Sequence, residues 1–588
     1  MCGIVGCLSK EPVAPLLLES LISLEYRGHD SAGIATLEED KVWCRKGVGA
    51  VADVDNKYAL YRLPGNVGIG HVRWATHGRV SQENAHPHLD CRGEIAVVHN
   101  GIIRNFQSLR HSLEGKHRFV SDTDTEVISH LIEEYLEDDL ESAVLKALSF
   151  LEGSYALAII SSREPGKIIV AKNESPLLVG QGHQKYFVAS DLICMAGQAD
   201  RVLYLDDGEI AIVRQEGVTV FDKGGQEVPK TLRPVTCQWQ APSKNGHRYY
   251  MLKEMMEEPE AVENALQQDN QILLDTASEI LQAKQVVLTA CGTSRHAALV
   301  GRYLFASLAG KFSEVVMASE FENFANFVSK DTLLIAISQS GETADVISGV
   351  KIAKERGARV LSLVNVPEST LARISDRTIY MNCGPELCVA ATKSFTAQLV
   401  IFYLLAFSMI NRLQDGKREL LDVADRIRKS LDINKERMKT LAAKITDKTD
   451  FYYLARGANF AIALEGALKM KEVSYIHAEG MPAGELKHGT LALIQDGTPV
   501  LIICPHDDVY YDTLSNTMEV KARGAFVIGL SDEDCDFFDE WIEIPHVEPI
   551  FYPLVSVIPL QLLAYYVATS RGRNPDRPRN LAKSVTVK

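Results

Sequence analysis

The feature that most constrains the fold of this chain is an internal repeat in its second part. The segment QVVLTACGTSRHAALVGRYL, beginning at residue 285, matches DFYYLARGANFAIALEGALK, beginning at residue 450, in its order of strand, glycine turn and helix. A second pair of segments, at 331–363 and 497–530, keeps the same offset of about 166 residues. In both copies apolar strands alternate with long amphipathic helices, as in parallel βαβ units. The repeat therefore predicts two tandem α/β domains, each with a doubly wound parallel sheet.

The first part of the chain has a different pattern. Short alternating or apolar segments are separated by Gly, Asn and Asp turns, which is typical of antiparallel strands and predicts an α+β domain. Segments 16–24 and 125–136 have the 3.6-residue period of helices, and Asp122 or Thr123 is the expected N-cap of the second. These changes place the first domain at 2–222, a Gly- and Pro-rich linker at 223–246, the repeated domains at 247–430 and 431–572, and a tail at 573–588.

The charge and cysteine content exclude several classes of function. The 588 residues carry 62 Lys+Arg against 77 Asp+Glu, a net charge of −15, and no basic block, so neither nucleic acid nor an anionic membrane is an expected partner. The eleven cysteines show neither C-x-x-C pairs nor the His/Cys spacing of a metal site, so no metal is expected. The amino terminus lacks a signal-peptide pattern, and the apolar runs 399–410 and 552–568 are shorter than the roughly 20 residues of a membrane span. We expect a cytoplasmic protein in which both runs are core helices.

Two strand-to-helix turns in the first copy of the repeat carry candidate phosphate ligands. The strand at 333–337 leads into SQSGET, whereas the matching turn of the second copy reads PHDD at 505–508. Ligands of such sheets bind beyond the carboxyl ends of strands, where a helix presents free N–H groups. Ser and Thr also cap helices at ordinary turns, but two such turns in one copy, opposed to an acidic turn in the other, favour a phosphate site. The candidate ligands are Thr293, Ser294, Ser338, Gln339, Ser340 and Thr343.

The second residue of the chain is a candidate nucleophile. Cys2 follows the initiator Met1, and a small second residue permits removal of that methionine. The cysteine thiol would then lie beside a free α-amine, which titrates near pH ~8 and can serve as its general base.

Three further segments give this cysteine a context: HVRWATHG at 71–78, HNGII at 99–103 and SDTDTE at 121–126. Together with Cys2 they resemble the class II, or N-terminal-nucleophile, glutamine amidotransferases, which have αββα layers. The resemblance implies that Cys2 attacks the side-chain amide of L-glutamine, and it assigns roles to seven other residues. Asn100 and Gly101 would form the oxyanion hole, Arg73 would hold the glutamine carboxylate, Asp124 would hold its ammonium, and Trp74, Thr76 and His77 would line the pocket.

The second half resembles the sugar-isomerase (SIS) domain pair of the glutamine:fructose-6-phosphate aminotransferase family. The most specific segments are ISQSGETADV at 337–346, LEGALKMKEVSYIHAEG at 464–480, AGELKHGTLALI at 483–494 and PRNLAKSVTVK at 578–588. The resemblance extends over the whole chain. It implies hydrolysis of glutamine, passage of ammonia between domains past Trp74, and amination and isomerisation of D-fructose 6-phosphate to D-glucosamine 6-phosphate, with no cofactor.

Glu465, Lys469 and Glu472 share one helix face, because they are four and three residues apart. Such a stripe is often a solvated row of salt bridges. The family resemblance instead makes Glu472 the proton shuttle between C1 and C2 of the sugar, with Lys469 assisting.

The resemblance also assigns roles outside this helix. His488 would open the sugar ring from the neighbouring subunit, which implies a homodimer. Lys583 would form an imine with the ketose, and Ala582 and Val389 would contact the sugar. The chain departs from the family pattern at His29, Arg79, Ala391, Thr490 and 481–482, without loss of a proposed catalytic group.

Other functions stay open at this stage. The same scaffold could aminate another ketose phosphate or act as a fructosamine-phosphate deglycase, although the complete glutamine pocket argues against deglycation. SIS domains also serve as sugar-phosphate sensors, which would have no use for Glu472, His488 and Lys583. Amidotransfer in purine or asparagine synthesis would need a ribosyl-pyrophosphate or ATP-pyrophosphatase loop after residue 240, and neither is present.

Overall fold

The structure is a computed structural model that describes residues 2–137, 139–235 and 243–587. The chain divides into two units. The first is formed by the residues up to Ser243 together with the segment that begins at Ala582, and the second spans Lys244–Leu581.

Two antiparallel sheets organise the first unit. The larger has the strand order β14-β11-β9-β10-β1-β4-β2-β3 and the smaller the order β13-β12-β8-β7-β6-β5. The strands are β1 (Gly3–Ser9), β2 (Ser31–Glu38), β3 (Lys41–Val48), β4 (Val67–Arg73), β5 (His88–Leu89), β6 (Ile95–Ile103), β7 (Gly153–Ser161), β8 (Lys167–Asn173), β9 (Leu178–Gly182), β10 (Lys185–Ala189), β11 (Arg201–Tyr204), β12 (Ile210–Arg214), β13 (Gly217–Phe221) and β14 (Arg233–Pro234).

Helices cover the outer faces of both sheets. They are α1 (Ala14–Ser23), α2 (Val51–Tyr58), α3 (Phe106–Leu113), α4 (Glu126–Tyr135) and α5 (Leu140–Leu148). Successive side chains of a strand point to opposite faces, so Ala96 and Val98 of β6 lie in the core between the sheets, whereas Ile95 and Val97 pack under α3, α4 and α5. The predicted αββα layering is thereby confirmed.

Two local predictions for this unit differ from the structure. The N-cap of α4 is Thr125, which makes no side-chain capping bond. The predicted N-cap at Asp122 or Thr123 is therefore wrong. The carboxylate of Glu126, the first residue of the helix, accepts the N–H groups of Val120 and Ser121 and ties the preceding loop to the helix start. The predicted linker contains β14, which pairs with β11, while residues 236–242 lie outside the described chain.

The second unit contains two five-stranded parallel sheets with the same topology. Their orders are β16-β15-β17-β18-β19 and β21-β20-β22-β23-β24, so each copy places its second strand at one edge and its first strand next to it. This confirms the repeat. The strands are β15 (Gln285–Ala290), β16 (Glu314–Met317), β17 (Thr332–Ser338), β18 (Arg359–Val364), β19 (Arg377–Tyr380), β20 (Asp450–Ala455), β21 (His477–Pro482), β22 (Pro499–Ile503), β23 (Phe526–Ser531) and β24 (Glu540–Glu543).

Twelve helices of this unit surround the two sheets in the described part of the chain. They are α6 (Tyr250–Met256), α7 (Glu258–Ala265), α8 (Asn270–Gln282), α9 (Gly292–Ala309), α10 (Phe321–Phe324), α11 (Ala344–Glu355), α12 (Thr370–Ile374), α13 (Lys393–Met409), α14 (Leu413–Ile445), α15 (Asn459–Ser474), α16 (Tyr510–Lys521) and α17 (Tyr552–Ser570). The predicted boundary between 430 and 431 falls inside α14.

The two most apolar helices of this unit, α13 and α17, form the centre of one core shared by both copies of the repeat. The segment Pro549–Ser570 is long and apolar enough to cross a bilayer, but 89% of its most apolar window is buried inside the protein, as expected of a core helix. Helix α15 packs closely on α17 because residue 466 is glycine: a Cβ there would lie 2.8 Å from Leu560 Cδ1. This close packing sets the position of the neighbouring Glu465.

Candidate active sites

Cys2 lies at the start of β1, against the residue that follows β4. Its Sγ is 3.4 Å from both the backbone nitrogen and the carbonyl oxygen of Trp74, so it can accept one hydrogen bond and donate another. Burial raises the pKa of the thiol, and nearby Arg73 and Asp124 act on it with opposite signs. A protonated thiol is a weak nucleophile, so this cysteine needs a base to become reactive.

Asn100 is held at both ends of its side-chain amide. Its Nδ2 donates to Ser190 Oγ at 2.8 Å, and its Oδ1 lies 3.1 Å from His71 Nε2. His71 Nε2 also lies 3.0 Å from the carbonyl oxygen of His99, and because both neighbours are acceptors, Nε2 must carry the proton. Burial lowers the pKa of His71 to about 3, so the ring is neutral.

Gly101 follows Asn100 on β6 with a φ of 138°. A Cβ at this position would lie 2.0 Å from the carbonyl oxygen of Ser154 on the paired strand β7. Only glycine can therefore occupy the second position of the predicted oxyanion hole.

Arg73 ends β4 and is buried. Its guanidinium donates to the carbonyl oxygens of His77, Gly78 (3.2 Å) and Arg79 (3.3 Å), which closes the loop that follows the strand. Burial lowers the pKa of this guanidinium. The loop carries the other predicted pocket residues, with Trp74 and His77 half-buried and Thr76 exposed.

Asp124 is buried just before α4. Its Oδ2 accepts the N–H of Ile103 at 2.9 Å, which ties it to the end of the strand that carries Asn100 and Gly101. The structure thus brings Cys2 close to Arg73 and Asp124, and Asp124 is bonded to the strand that carries Asn100.

Ser190 is a site residue that the sequence did not reveal. Its Oγ accepts the N–H of Ile4 at 2.8 Å as well as the bond from Asn100, so it joins the start of β1 to the predicted oxyanion hole. Its position follows from the pairing of β1 with β10, in which Val5 faces Ala189. The register of paired strands cannot be identified from a single sequence.

In the second unit, Lys469 is the centre of a buried charged group on α15. Its Nζ lies 3.3 Å from Glu465 Oε1 and 2.6 Å from Glu472 Oε2, and it donates to Thr293 Oγ1 at 3.1 Å. Glu465 also accepts from Thr293 at 3.0 Å and contacts His296 Nδ1 at 2.8 Å. The side chains of Lys469 and Glu465 are 0% exposed, whereas that of Glu472 is 19% exposed. The stripe is therefore not a solvated row of salt bridges.

Lys469 and Glu465, which form a buried ion pair, are both held in their charged forms. Burial opposes charge on Lys469, but Glu465 and Glu472 outweigh this effect and raise the pKa of the ammonium. Burial likewise opposes ionisation of Glu465, but Lys469 and His296 lower the pKa of its carboxyl group. The partly exposed Glu472 thus receives a fixed cationic neighbour.

The turn between β17 and α11 contains the side-chain hydroxyl groups that are predicted to bind phosphate. Ser338 Oγ lies 2.8 Å from Thr343 Oγ1 and 3.5 Å from Ser340 Oγ. It also accepts the N–H of Gly341 at 3.1 Å. Gly341 has a φ of 67°, and a Cβ would lie 2.0 Å from Ser369 Oγ, so the tight turn requires glycine. Gln339, half-buried, occupies the same turn.

The second predicted turn lies between β15 and α9. Ser294 Oγ accepts from Gln398 Nε2 at 3.0 Å. Thr293 contacts both Lys469 and Glu465, so it belongs as much to the charged group of α15 as to the turn.

The remaining predicted sugar-site residues are more dispersed. Val389 is half-buried in the loop before α13, which Glu386 fixes by accepting the N–H groups of Thr392 and Ser394. His488 is exposed at the end of the 3-10 turn Ala483–His488, and within the described chain no hydrogen bond or ion pair joins it to Glu472. Ala582 and Lys583 begin the terminal segment, which belongs to the first unit. The packing of the second unit alone therefore does not place them beside Lys469.

Comparison with known proteins adds to this geometry. A family described as a glutamine amidotransferase domain matches residues 71–196, and the SIS domain family matches residues 279–408 and 444–571. The glutamine–fructose-6-phosphate aminotransferases (isomerizing) of Methanothermobacter thermautotrophicus and Thermococcus kodakarensis are 47% and 45% identical to this chain, with 100% of each chain covered. The solved C-terminal domain of glucosamine-fructose-6-phosphate aminotransferase from Francisella tularensis is 35% identical, with a TM-score of 0.53, over 57% of this chain and 100% of that one.

Proposed function

Because this chain belongs to the glutamine–fructose-6-phosphate aminotransferase (isomerizing) family, we propose how its own residues divide that reaction between two sites. The enzyme hydrolyses L-glutamine and transfers the nitrogen to D-fructose 6-phosphate, which it isomerises to D-glucosamine 6-phosphate. The observation that carries the assignment is similarity over the full length of the chain, which supports a glutaminase site and a phosphosugar site in one protein.

At the first site, Cys2 acts as the nucleophile after removal of Met1. Its α-amine takes the thiol proton, and the sulfur attacks the side-chain amide carbon of glutamine. Asn100 Nδ2 carries two hydrogens and gives one to Ser190, so the other can bind the oxyanion together with the Gly101 N–H. Collapse of the tetrahedral intermediate releases ammonia, and water then hydrolyses the thioester to glutamate.

The charges of the first pocket match the ends of glutamine. Three of the five N–H groups of Arg73 serve loop carbonyl oxygens, which leaves two for the substrate carboxylate. Asp124, fixed by Ile103, receives the substrate ammonium. Trp74, Thr76 and His77 line the pocket.

At the second site, Ser338, Gln339, Ser340 and Thr343 bind the sugar phosphate at the start of α11, with Thr293 and Ser294 on the neighbouring turn. Lys583 forms an imine with the C2 carbonyl group of the open-chain sugar, and one water is released. Ammonia from the first site then replaces the lysine amine at C2, which gives the imine of the product nitrogen and frees Lys583. Glu472, oriented by Lys469, moves a proton between C1 and C2.

Other residues and properties complete the proposal for this site. Val389 and Ala582 contact the sugar. His488 opens the ring from the neighbouring subunit of a homodimer, which is consistent with its exposure in the single chain. We place the enzyme in the cytoplasm.

The proposed reaction is tested by one assay of the purified protein. Incubation with glutamine and fructose 6-phosphate is expected to give glutamate and glucosamine 6-phosphate in equal amounts. Glutamate without amino sugar would indicate another ketose-phosphate acceptor, which parallel incubations with other ketose phosphates would identify. Release of free sugar phosphate from a fructosamine phosphate, without use of glutamine, would establish the deglycase alternative.

Ser340→Ala is expected to raise the KM for fructose 6-phosphate roughly tenfold to a hundredfold, since a hydrogen bond to a charged group contributes about 1.5–3 kcal/mol. The KM for glutamine should stay within about twofold, because the change removes no group from the glutamine site. Steady-state kinetics with each substrate varied in turn measures both values.

The matched control is Ser329→Ala. Ser329 precedes the amino end of β17, the strand whose carboxyl end carries the phosphate turn, and its Oγ accepts a local N–H from Asp331 at 3.3 Å. It should leave both KM values unchanged. Equal increases for both substrates in Ser340→Ala would place the phosphate elsewhere.

A further inference from the structure

Four side chains with metal-binding atoms converge in the first unit, and none of them is a predicted residue of the glutamine pocket. Cys91 lies between β5 and β6, His117 lies between α3 and α4, and His130 and Glu133 lie on α4. Their ligand atoms all lie within 4.8 Å of one another. The structure thus joins three separate parts of the chain into one potential site.

The distances among these atoms are close to those of a tetrahedral zinc site. Cys91 Sγ lies 3.6 Å from His117 Nδ1 and 3.7 Å from His130 Nδ1. The same two nitrogens lie 2.9 Å and 3.2 Å from Glu133 Oε2. Zinc–ligand bonds of normal length imply roughly 3.6 Å between sulfur and nitrogen and roughly 3.4 Å between nitrogen and oxygen. Only small movements are needed for all four atoms to bind one ion.

The outer nitrogens of both imidazoles face carboxylates. His117 Nε2 lies 3.0 Å from Glu134 Oε2, and His130 Nε2 lies 3.7 Å from Glu126 Oε1. A metal ion bound to each Nδ1 leaves the proton on each Nε2, on the side that faces the outer carboxylate. This arrangement of an imidazole between a metal ion and a carboxylate is usual for zinc-bound histidines.

Backbone groups support the other two ligands. The N–H of Arg118 donates to Cys91 Sγ at 3.3 Å, and the N–H of Cys91 donates to Glu133 Oε2 at 3.1 Å. A thiolate and a carboxylate together supply two negative charges, which balance a divalent cation. The ligands are a thiolate, two imidazoles and a carboxylate, and this mixture suits zinc better than magnesium or calcium.

We propose that Cys91, His117, His130 and Glu133 bind one Zn²⁺ ion. Four protein ligands complete a tetrahedral shell, so the site is structural rather than catalytic. The ion would fix the segment between His117 and α4, which contains Asp124, against the turn that leads into β6. The sequence pattern does not predict this site, because the ligands are spread from position 91 to position 133 and only His130 and Glu133 are close in sequence.

The first test measures metal content in the full-length protein purified without chelator. About one zinc per chain is expected in the wild type, and less than about 0.2 in Cys91→Ser and His117→Ala, since loss of one of four ligands greatly weakens a structural site. Cys44→Ser, which alters a half-buried cysteine elsewhere in the same unit, is the matched control and should keep about one zinc. Equal zinc content in all four proteins would overturn the proposal.

The second test does not depend on the metal acquired during expression. Wild type treated with a chelator and then titrated with Co²⁺ should develop a thiolate-to-cobalt charge-transfer band, and its Tm should fall with chelator and return with Zn²⁺. Cys91→Ser should lack the band, and circular dichroism will show whether it is folded. If that variant is unfolded, the wild-type and Cys44→Ser titrations decide the question. If the wild type shows neither the band nor a Tm response to Zn²⁺, the proposal is wrong, and His117 and His130 only form ion pairs with the neighbouring glutamates.

Discussion

Cys2→Ala is expected to lower the rate of glutamine hydrolysis by at least about 10⁴-fold, because loss of a covalent nucleophile leaves only the oxyanion hole and substrate binding. The thiol of Cys2 contacts the backbone of Trp74 within the first unit, and alanine fills most of its volume. The fold should therefore survive the change. Fructose 6-phosphate binding, measured by calorimetry, should be unaltered because the phosphate turn belongs to the second unit.

Cys44→Ala is the matched control for this experiment. Cys44 lies on β3 and has no role in the proposed reaction, so glutamate release should continue at the wild-type rate. Glutaminase turnover that persists in Cys2→Ala would assign the nucleophile to another group. Full activity in protein that mass spectrometry shows to retain Met1 would exclude the α-amine of Cys2 as the base.

Lys583→Ala is expected to abolish covalent trapping of fructose 6-phosphate and formation of amino sugar. In the wild type, the imine between Lys583 Nζ and C2 of the sugar is reduced by borohydride to a stable secondary amine, which mass spectrometry of the tail peptide detects. Alanine has no amine, so no adduct can form at this position. An adduct of equal yield in Lys583→Ala would place the imine on a different lysine.

Glu472→Gln distinguishes imine formation from the later proton transfer. Glutamine keeps the shape of Glu472 and can still accept a hydrogen bond from Lys469, so the adduct should form while amino-sugar production falls about 10²- to 10⁴-fold. Lys469 itself is a poor choice for this purpose. Its removal would leave the buried Glu465 carboxylate without its ammonium partner, a change that destabilises proteins by about 3–5 kcal/mol.

The sequence predicts the architecture because its signals are periodic and local. The offset of about 166 residues and the alternation of strands and helices predict two similar parallel sheets, and the structure contains two sheets of identical strand order. The strand-to-helix turn at 338–343 can likewise be predicted from the sequence, because residues with side-chain hydroxyl groups and a glycine lie close together there. The sequence did not predict the N-cap of α4, which is Thr125 rather than Asp122 or Thr123, because several neighbouring polar residues fit the pattern of a helix start.

The spacing of charged residues along a helix does not show whether they are buried or exposed. The positions of Glu465, Lys469 and Glu472 place them on one face of α15, but a solvated stripe and a buried charged group have the same spacing. Burial by the packing of α15 against its neighbours, together with Thr293 and His296 from α9, decides between them.

The sequence by itself determined the fold class, the repeated sheets and the motif positions of the two sites, because each of these depends on residues that are close together or regularly spaced. Tertiary structure alone decided that Ser190 holds Asn100, and that Cys91 meets His117, His130 and Glu133. These contacts join residues that are far apart in the chain. Strand register and helix packing create such contacts, and neither leaves a periodic signal in one sequence.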